Sequence, residues 1–370
     1  MSTDEKQNLK RRDFMKRATV TGAALSTGTA AAAAKKPAVR DPRHLRRDLL
    51  RVGMVGLGPY SHAMAYTAAI NEPSLPPRTN MKVVAVWGKD DWYRSELRGS
   101  EEWKNKRVND LKSYMSTEKF TGELGVEHVV KSPEEMARLV DAVFIMDPKN
   151  SLELARPFIE EKKSIFINRP IAWSMSDVRE ILRLVRENNV PLITGSCVPW
   201  MNEIQVAKSR IDPAKIQSYY TDGSTANFCS YMPHILETAH MLIGGRVVRC
   251  STHGMTWPAD EDPLSIPPVM THLEYEKTDP ERNPVIGVAS TWFGQPYRNW
   301  VKVHLDDDVV EQGVFWEGDR GIDHDEHLWL PFLRVVGRTF ETGVSPEDAD
   351  GILNKVATML MAHKLSLIHI

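Results

Sequence analysis

Disulfide chemistry has little to work with here: the three cysteines, Cys197, Cys229 and Cys250, show no paired metal-ligand spacing. An odd count so placed excludes a disulfide framework or a zinc knuckle and leaves buried thiols as the expected state. An excess of one charge is missing too. Lys and Arg number 47 against 49 Asp and Glu, a formal net charge of −2. No overall basic field is available to recruit nucleic acid or anionic lipid. Long apolar runs are absent as well. The most extended weakly apolar tract, Ala18 to Ala34, is too short and too rich in Thr and Gly for a transmembrane helix. No internal repeat appears. What remains, 370 residues with 42% hydrophobic and 26% charged side chains, is the profile of a globular protein with room for two domains.

The first 34 residues differ in kind. Arg11-Arg12-Asp13-Phe14-Met15-Lys16 precedes the Ala-rich tract, whose small residues offer a cleavage site around Ala30 to Ala34. The pattern resembles a Tat export signal, in which the Arg pair is an address read by the export machinery. It implies a periplasmic or otherwise extracytoplasmic destination and export in the folded state. Residues 35–49, charged and Pro-containing, are read as a linker. At the other end, residues 365–370 (LSLIHI) match the translation of a common transposase-adaptor end and are expected to be foreign.

From Leu50 short apolar runs alternate with amphipathic stretches. Strands are expected at Leu50–Val55, Lys82–Trp87, Glu127–Val130, Ala142–Met146, Ser164–Ile167 and Pro191–Thr194. Helices are expected at Ser61–Asn71, Asp91–Met115, Pro133–Leu139, Leu152–Glu161 and Ser176–Asn188, with Ser132 and Ser176 as N-caps. That alternation predicts an α/β doubly wound parallel sheet over residues 50–200. Residues 201–364 read differently, with strand-like runs at Pro268–Glu276, Val285–Phe293 and Trp300–Leu305 and no helices between them. An α+β domain with an open, mostly antiparallel sheet is expected there. Helices should flank it near Pro233–Ile243 and Glu326–Phe340, with a last one starting at Ser345-Pro346-Glu347-Asp348.

The first strand closes on Gly56-Leu57-Gly58-Pro59-Tyr60-Ser61. Gly56 and Gly58 take the first two places of G-x-G-x-x-G, with Ser61 at the third. The first glycine permits a tight turn and the second lets backbone approach a pyrophosphate at the helix N-terminus. A dinucleotide is the expected ligand. The second strand ends on Trp87-Gly88-Lys89 instead of an acid. Lys89 could neutralise a 2′-phosphate, so NAD and NADP both stay open.

These passages, with Asp147-Pro148 after the fourth strand, Phe166-Ile167-Asn168-Arg169-Pro170 after the fifth, and Ser230–Glu237, resemble the Gfo/Idh/MocA family of nicotinamide-dependent oxidoreductases. The resemblance implies a Rossmann domain joined to an α/β domain, NAD or NADP as cofactor, and a sugar, cyclitol or derivative as substrate. A homo-oligomer is also expected. The family carries Glu-Lys-Pro where this chain has Asn168-Arg169-Pro170. By that position Arg169 contacts both cofactor and substrate oxygen, as a planar fork that holds an oxyanion but relays no proton. The family's Asp-x-Gly-x-His-x-x-Asp is reduced to Ser230, His234 and Glu237. His234 is then the expected general base, with Glu237 one turn on as its orienter.

Two further features are read as structural. His324-Asp325-Glu326-His327 are adjacent at a helix start and do not converge on one ion; no metal is expected. Trp292, Phe293, Trp300, Phe315 and Trp316 are read as sheet core.

Overall fold

The computed structural model describes residues 49–57, 62–72, 79–88, 117–225, 228–254, 269–277, 279–293, 298–315 and 328–368. The export segment, nearly all of the linker, Gly58, Ser61, Lys89, the helix expected at Asp91–Met115, His324–His327 and Trp316 lie outside them.

Six strands form the first sheet: β1 (Leu50–Val55), β2 (Met81–Trp87), β3 (His128–Val129), β4 (Ala142–Ile145), β5 (Ser164–Asn168) and β6 (Leu192–Gly195). All pairings are parallel, in the order β3-β2-β1-β4-β5-β6. The near-continuous apolar runs of β1, β4 and β5 follow from burial on both faces. Helices α1 (Ala63–Asn71), α2 (Thr117–Gly122), α3 (Pro133–Leu139), α4 (Ser151–Glu160) and α5 (Met175–Glu187) connect the strands. Ser132 caps α3 as expected, accepting from Glu135 N at 3.3 Å. The cap of α5 is Ser174, not Ser176. Its Oγ accepts from Asp177 N at 3.1 Å, because the helix begins one turn position earlier than the apolar stripe suggests.

After β6 come α6 (Asn202–Arg210), α7 (Phe228–Ile243), α8 (Leu330–Thr342) and α9 (Ala349–Ile368). The second sheet has β7 (Ile216–Thr225), β8 (Val247–His253), β9 (Val269–Tyr275), β10 (Ile286–Phe293), β11 (Arg298–Leu305) and β12 (Val309–Phe315). Its order is β12-β11-β7-β10-β9-β8. The β7–β10 pair is parallel and the remaining pairs are antiparallel. Helix α7 covers one face, onto which Thr221, Thr271, Ala289, Val301 and Val303 turn.

Trp292 and Trp300 do not belong to that core. Trp292 shares parity with exposed Ile286, under the Arg298 guanidinium at 5.0 Å. Trp300 lies beside Lys302 on the open face and donates Nε1–H to Glu311 Oε1 at 3.0 Å. Strand propensity selects aromatics for a pleated surface, but parity with the buried positions decides the face.

Helices α8 and α9 both cross the division expected near residue 200, α9 by packing on α5. α8 returns to the first sheet, where Phe332 meets Phe166 edge-on with centroids 5.5 Å apart. Phe340 meets Phe144 likewise at 5.6 Å. Asn80, at the entry to β2, donates to Gly337 O at 3.1 Å. Among the described residues no helix is long and apolar enough to cross a membrane, and no cluster of His, Cys, Asp and Glu could hold a metal ion.

Candidate functional site

In a doubly wound sheet the crevice outside the carboxyl ends opens where the strand order reverses, here between β1 and β4. Gly56 leaves β1 there with φ +88° and donates its N–H to Trp87 O at 3.0 Å. A Cβ at this position would stand 3.1 Å from the backbone nitrogen of Asp147, at the exit of β4. Conformation and space both call for glycine. Asp147 is buried and shapes the turn into α4: Oδ1 accepts from Lys149 N at 2.9 Å and Oδ2 from Asn150 Nδ2 at 2.6 Å. Pro148 O accepts from Ser151 Oγ at 3.3 Å. Gly56 and Asp147-Pro148 thus stand together at the carboxyl edge of β1 and β4.

The exit of β5 supplies Arg169, only 7% exposed and joined to Pro170 through a cis bond. Its Nη1 donates to Asn168 Oδ1 at 3.2 Å and lies 3.1 Å from His62 Nδ1, while Nη2 lies 3.4 Å from His62 Nε2. A guanidinium only donates and a neutral imidazole accepts at one nitrogen, so at most one of these two contacts is a hydrogen bond. His62 opens α1 directly after the glycine turn and is packed against Trp329 with centroids 4.6 Å apart. Among the described residues, Arg169 Nε is buried with no hydrogen-bond partner. A buried N–H without an acceptor is costly unless a ligand provides one. The orphan donor and the glycine cradle together fit a bound dinucleotide and an oxygen-bearing substrate.

His234 comes from α7 and is 5% exposed. Burial, then the Arg169 charge and His62, hold its pKa well below the usual imidazole range. The expected orienter is not the one present. Ser196 Oγ, one residue past β6, meets His234 Nδ1 at 2.5 Å. Glu237 Oε2 instead accepts the backbone N–H of Ser196 at 2.6 Å and lies 4.0 Å from Lys355 Nζ. On α7, Glu237 stands one turn beyond His234, but its side chain turns towards α9 and reaches the imidazole only through Ser196. Lys355 is shared with Glu347 at 2.5 Å. Burial works against its ammonium, yet Glu237 and Glu347 outweigh that and raise its pKa.

Sequence reasoning did not find His62, Ser196 or Lys355. Ser196 had one signal: it directly follows a parallel strand, at the edge where such sheets carry their site residues. The other two reach the cluster only through the fold.

His240, a further turn along α7, gives a pH test. Burial and the Lys355 charge push its pKa down to about 4. The unfolded chain then binds this proton first as pH falls, since free imidazole titrates near about 6.5. Stability is fully present above that value and is lost on acidification. Between about pH 7 and about pH 5 the loss through His240 should reach about 2 kcal/mol. Urea midpoints at both pH values for wild type and His240→Gln check this: the variant should show the shallower dependence, and equal slopes would refute it.

Residues 50–196 match the family model GFO_IDH_MocA, described as "Oxidoreductase family, NAD-binding Rossmann fold". The stretch so matched, well under half of the chain, contains the first sheet and its connecting helices and is similar to the NAD-binding Rossmann fold of that oxidoreductase family. A curated relative, the uncharacterized oxidoreductase YgjR of Escherichia coli (strain K12), is 27% identical over 127 residues, which is 32% of this chain. The matched part spans only 36% of that relative's length. Among solved structures, myo-inositol 2-dehydrogenase from Lactobacillus plantarum is similar with TM-score 0.65 at 13% identity, covering 87% of this chain and 98% of that one. Scyllo-inositol dehydrogenase from Lactobacillus casei, with bound NAD(H) and scyllo-inositol, has TM-score 0.62 at 13% identity, with the same coverage of 87% and 98%. At such identity these two establish fold alone. Gly56 and Asp147 lie within the matched residues, while Asn168-Arg169 and Ser230 replace residues that the family resemblance leads one to expect.

Proposed function

We propose that this chain is an NAD- or NADP-dependent oxidoreductase that moves a hydride at a hydroxyl-bearing carbon of a sugar, cyclitol or derivative. The observation that carries the reading is the buried Arg169 guanidinium at the β5 exit, in contact with His62 at the start of α1. When bound, the nicotinamide supplies the redox chemistry. Gly56, Gly58 and Ser61 would hold the pyrophosphate, with Asp147 and Pro148 as further cofactor-binding residues, and Lys89 would serve the ribose. Arg169 offers its unpartnered Nε–H, and with His234 it holds the substrate oxygen. The inositol dehydrogenases among the structural neighbours support a polyol substrate. On this reading residues 50–200 carry the cofactor and residues 201–364 the substrate. The open face of the second sheet, with exposed Tyr220, Met270 and Ile286, supports a homo-oligomer.

Calorimetric titration with NAD and NADP, followed by an inositol, aldose and sugar-acid panel read by reduced-nicotinamide absorbance, tests the proposal. Binding of one nucleotide and turnover of a polyol are expected. Failure to bind either nucleotide would overturn it. Turnover without net reduction would point to a redox-neutral lyase or glycosidase.

The same reading includes export, supported by Arg11, Arg12, Phe14 and the Ala-rich tract. Changing both arginines to lysine should leave unprocessed protein in the cytoplasm, as judged by fractionation and immunoblotting. Continued export of the double variant would remove the Tat assignment.

A further inference from the structure

A cleft of about 370 Å³ runs beside the C-terminal half of α7, lined also by β6, α6 and the link from α8 to α9. Gly56, Arg169 and His234 do not line it, so it is distinct from the crevice outside β1 and β4. Packed interiors leave few voids larger than a water molecule, whereas small-molecule sites measure about 300–1,000 Å³. The volume is that of a ligand site.

The charges of the cleft are sorted by depth. Its inner wall holds Lys355, whose Nζ lies 2.5 Å from Glu347 Oε2 and 4.0 Å from Glu237 Oε2. These three side chains are 12%, 28% and 13% exposed. One ammonium thus answers two carboxylates. A carboxylate has about four lone-pair sites, and Lys355 with the Ser196 N–H takes only part of that capacity. His240 adds no charge near neutral pH, since burial and the Lys355 charge hold its pKa down to about 4. The rim has the opposite sign. Lys208, in the last turn of α6, and Arg246, between α7 and β8, line the cleft and are exposed. Neither has a carboxylate partner among the described residues. Lys208 Nζ donates instead to Met241 Sδ at 3.2 Å, a weak acceptor. Half-buried Trp200 adds an aromatic wall.

A ligand that satisfies both zones carries an anion for the rim and uncharged donors for the inner carboxylates. An ammonium at the inner wall would face Lys355, so hydroxyls are the donors that fit. The C–H face of a polyol suits the indole. We propose that this cleft binds a small anion that also carries several hydroxyls, a sugar phosphate or a sugar acid. Lys208 and Arg246 hold its anionic group, and Glu237 and Glu347 accept from its hydroxyls. The site is independent of the hydride-transfer reading, which uses neither rim cation.

Calorimetric titration of the full chain with glucose 6-phosphate, gluconate, inorganic phosphate and myo-inositol tests this. One or both of the first two should bind at least about tenfold more tightly than phosphate or myo-inositol, which each carry half of the recognised chemistry. Binding of glucose 6-phosphate alone would mark a phosphate site, and of gluconate alone a carboxylate site. Combining Lys208→Ser with Arg246→Ser should weaken the binding at least about tenfold and, at exposed positions, leave the urea midpoint in place. Arg169→Ala should leave the affinity unchanged, which separates this cleft from the site proposed for hydride transfer. The proposal is overturned if neither anion binds at millimolar concentration, or if inorganic phosphate binds as tightly as glucose 6-phosphate and gluconate. It is equally overturned if the double variant binds like wild type, or if Arg169→Ala abolishes binding. With no binding at all, the two cations would only complement the helix C-termini beside them. None of these measurements needs turnover, so failure of the hydride-transfer reading would leave their result intact.

Discussion

Alanine in place of Arg169 should lower hydride transfer by about 10²–10³-fold, the usual scale for losing a preorganised donor to a developing oxyanion. Arg169 ties the site together, since it meets Asn168 and His62 and also carries a donor with no acceptor among the described residues. Its removal has a second signature. With the guanidinium gone, a cause holding the His234 pKa down disappears, so the ring should protonate at a higher pH than in wild type. Arg169→Lys keeps the charge but cannot reach Asn168 and His62 as a fork. It should recover most of the lost rate and shift the preference among polyols. The measurements are kcat/KM over a substrate panel and His234 titration by NMR. Wild-type turnover in Arg169→Ala would take this residue out of the site.

The largest stability effect is expected from Gly195→Ala. Gly195 closes β6 with φ +121°, where only glycine sits without strain, and an added Cβ would overlap Glu237 Oε2. Strain of this kind costs roughly 1–3 kcal/mol. Displacing Glu237 also breaks its charge-assisted bond to Ser196 N–H, worth roughly 1.5–3 kcal/mol. The sum, about 2.5–6 kcal/mol, is a large part of a typical domain's stability. Urea denaturation reads it directly, and a loss under about 1 kcal/mol would mean that Glu237 swings away freely. The variant should also disturb the Ser196–His234 contact and so lose activity wherever it stays folded.

The first sheet was legible almost to the residue because strands buried on both faces leave unbroken apolar runs such as Ala142–Ile145. The second was only half legible. β7, reading IQSYYTDGST, contains Asp222, Gly223 and two serines, yet it lies at the centre of the sheet. β8 is mostly exposed at an edge, and its run VVRCSTH shows no clean alternation. Both escaped notice because neighbours, not propensity, hold them in place. In the site, Arg169 and His234 were recognisable from their place in family motifs. The partners that define their chemistry were not, since His62, Asn168, Ser196 and Lys355 come from four separate elements. Hydrogen-bond partners of that kind are a property of the fold.

The return of α8 to the first sheet has a consequence for how the chain is made. Phe144 and Phe166 belong to the Rossmann half, but their partners Phe340 and Phe332 are synthesised well over a hundred residues later. β7 waits in the same way: Ser218 pairs with Ile286, and Gly223 with Asn299. During elongation at the ribosome, a nascent chain ending before β10 would show water a bare edge of β7, and one ending before α8 would still show an aromatic patch on the first sheet. Pairing across such sequence distance is slow, and intermediates of this kind aggregate. Nascent chains halted shortly before Leu330 should therefore bind holdase chaperones and stay protease-sensitive, and resistance should arrive abruptly once α8 has cleared the exit tunnel.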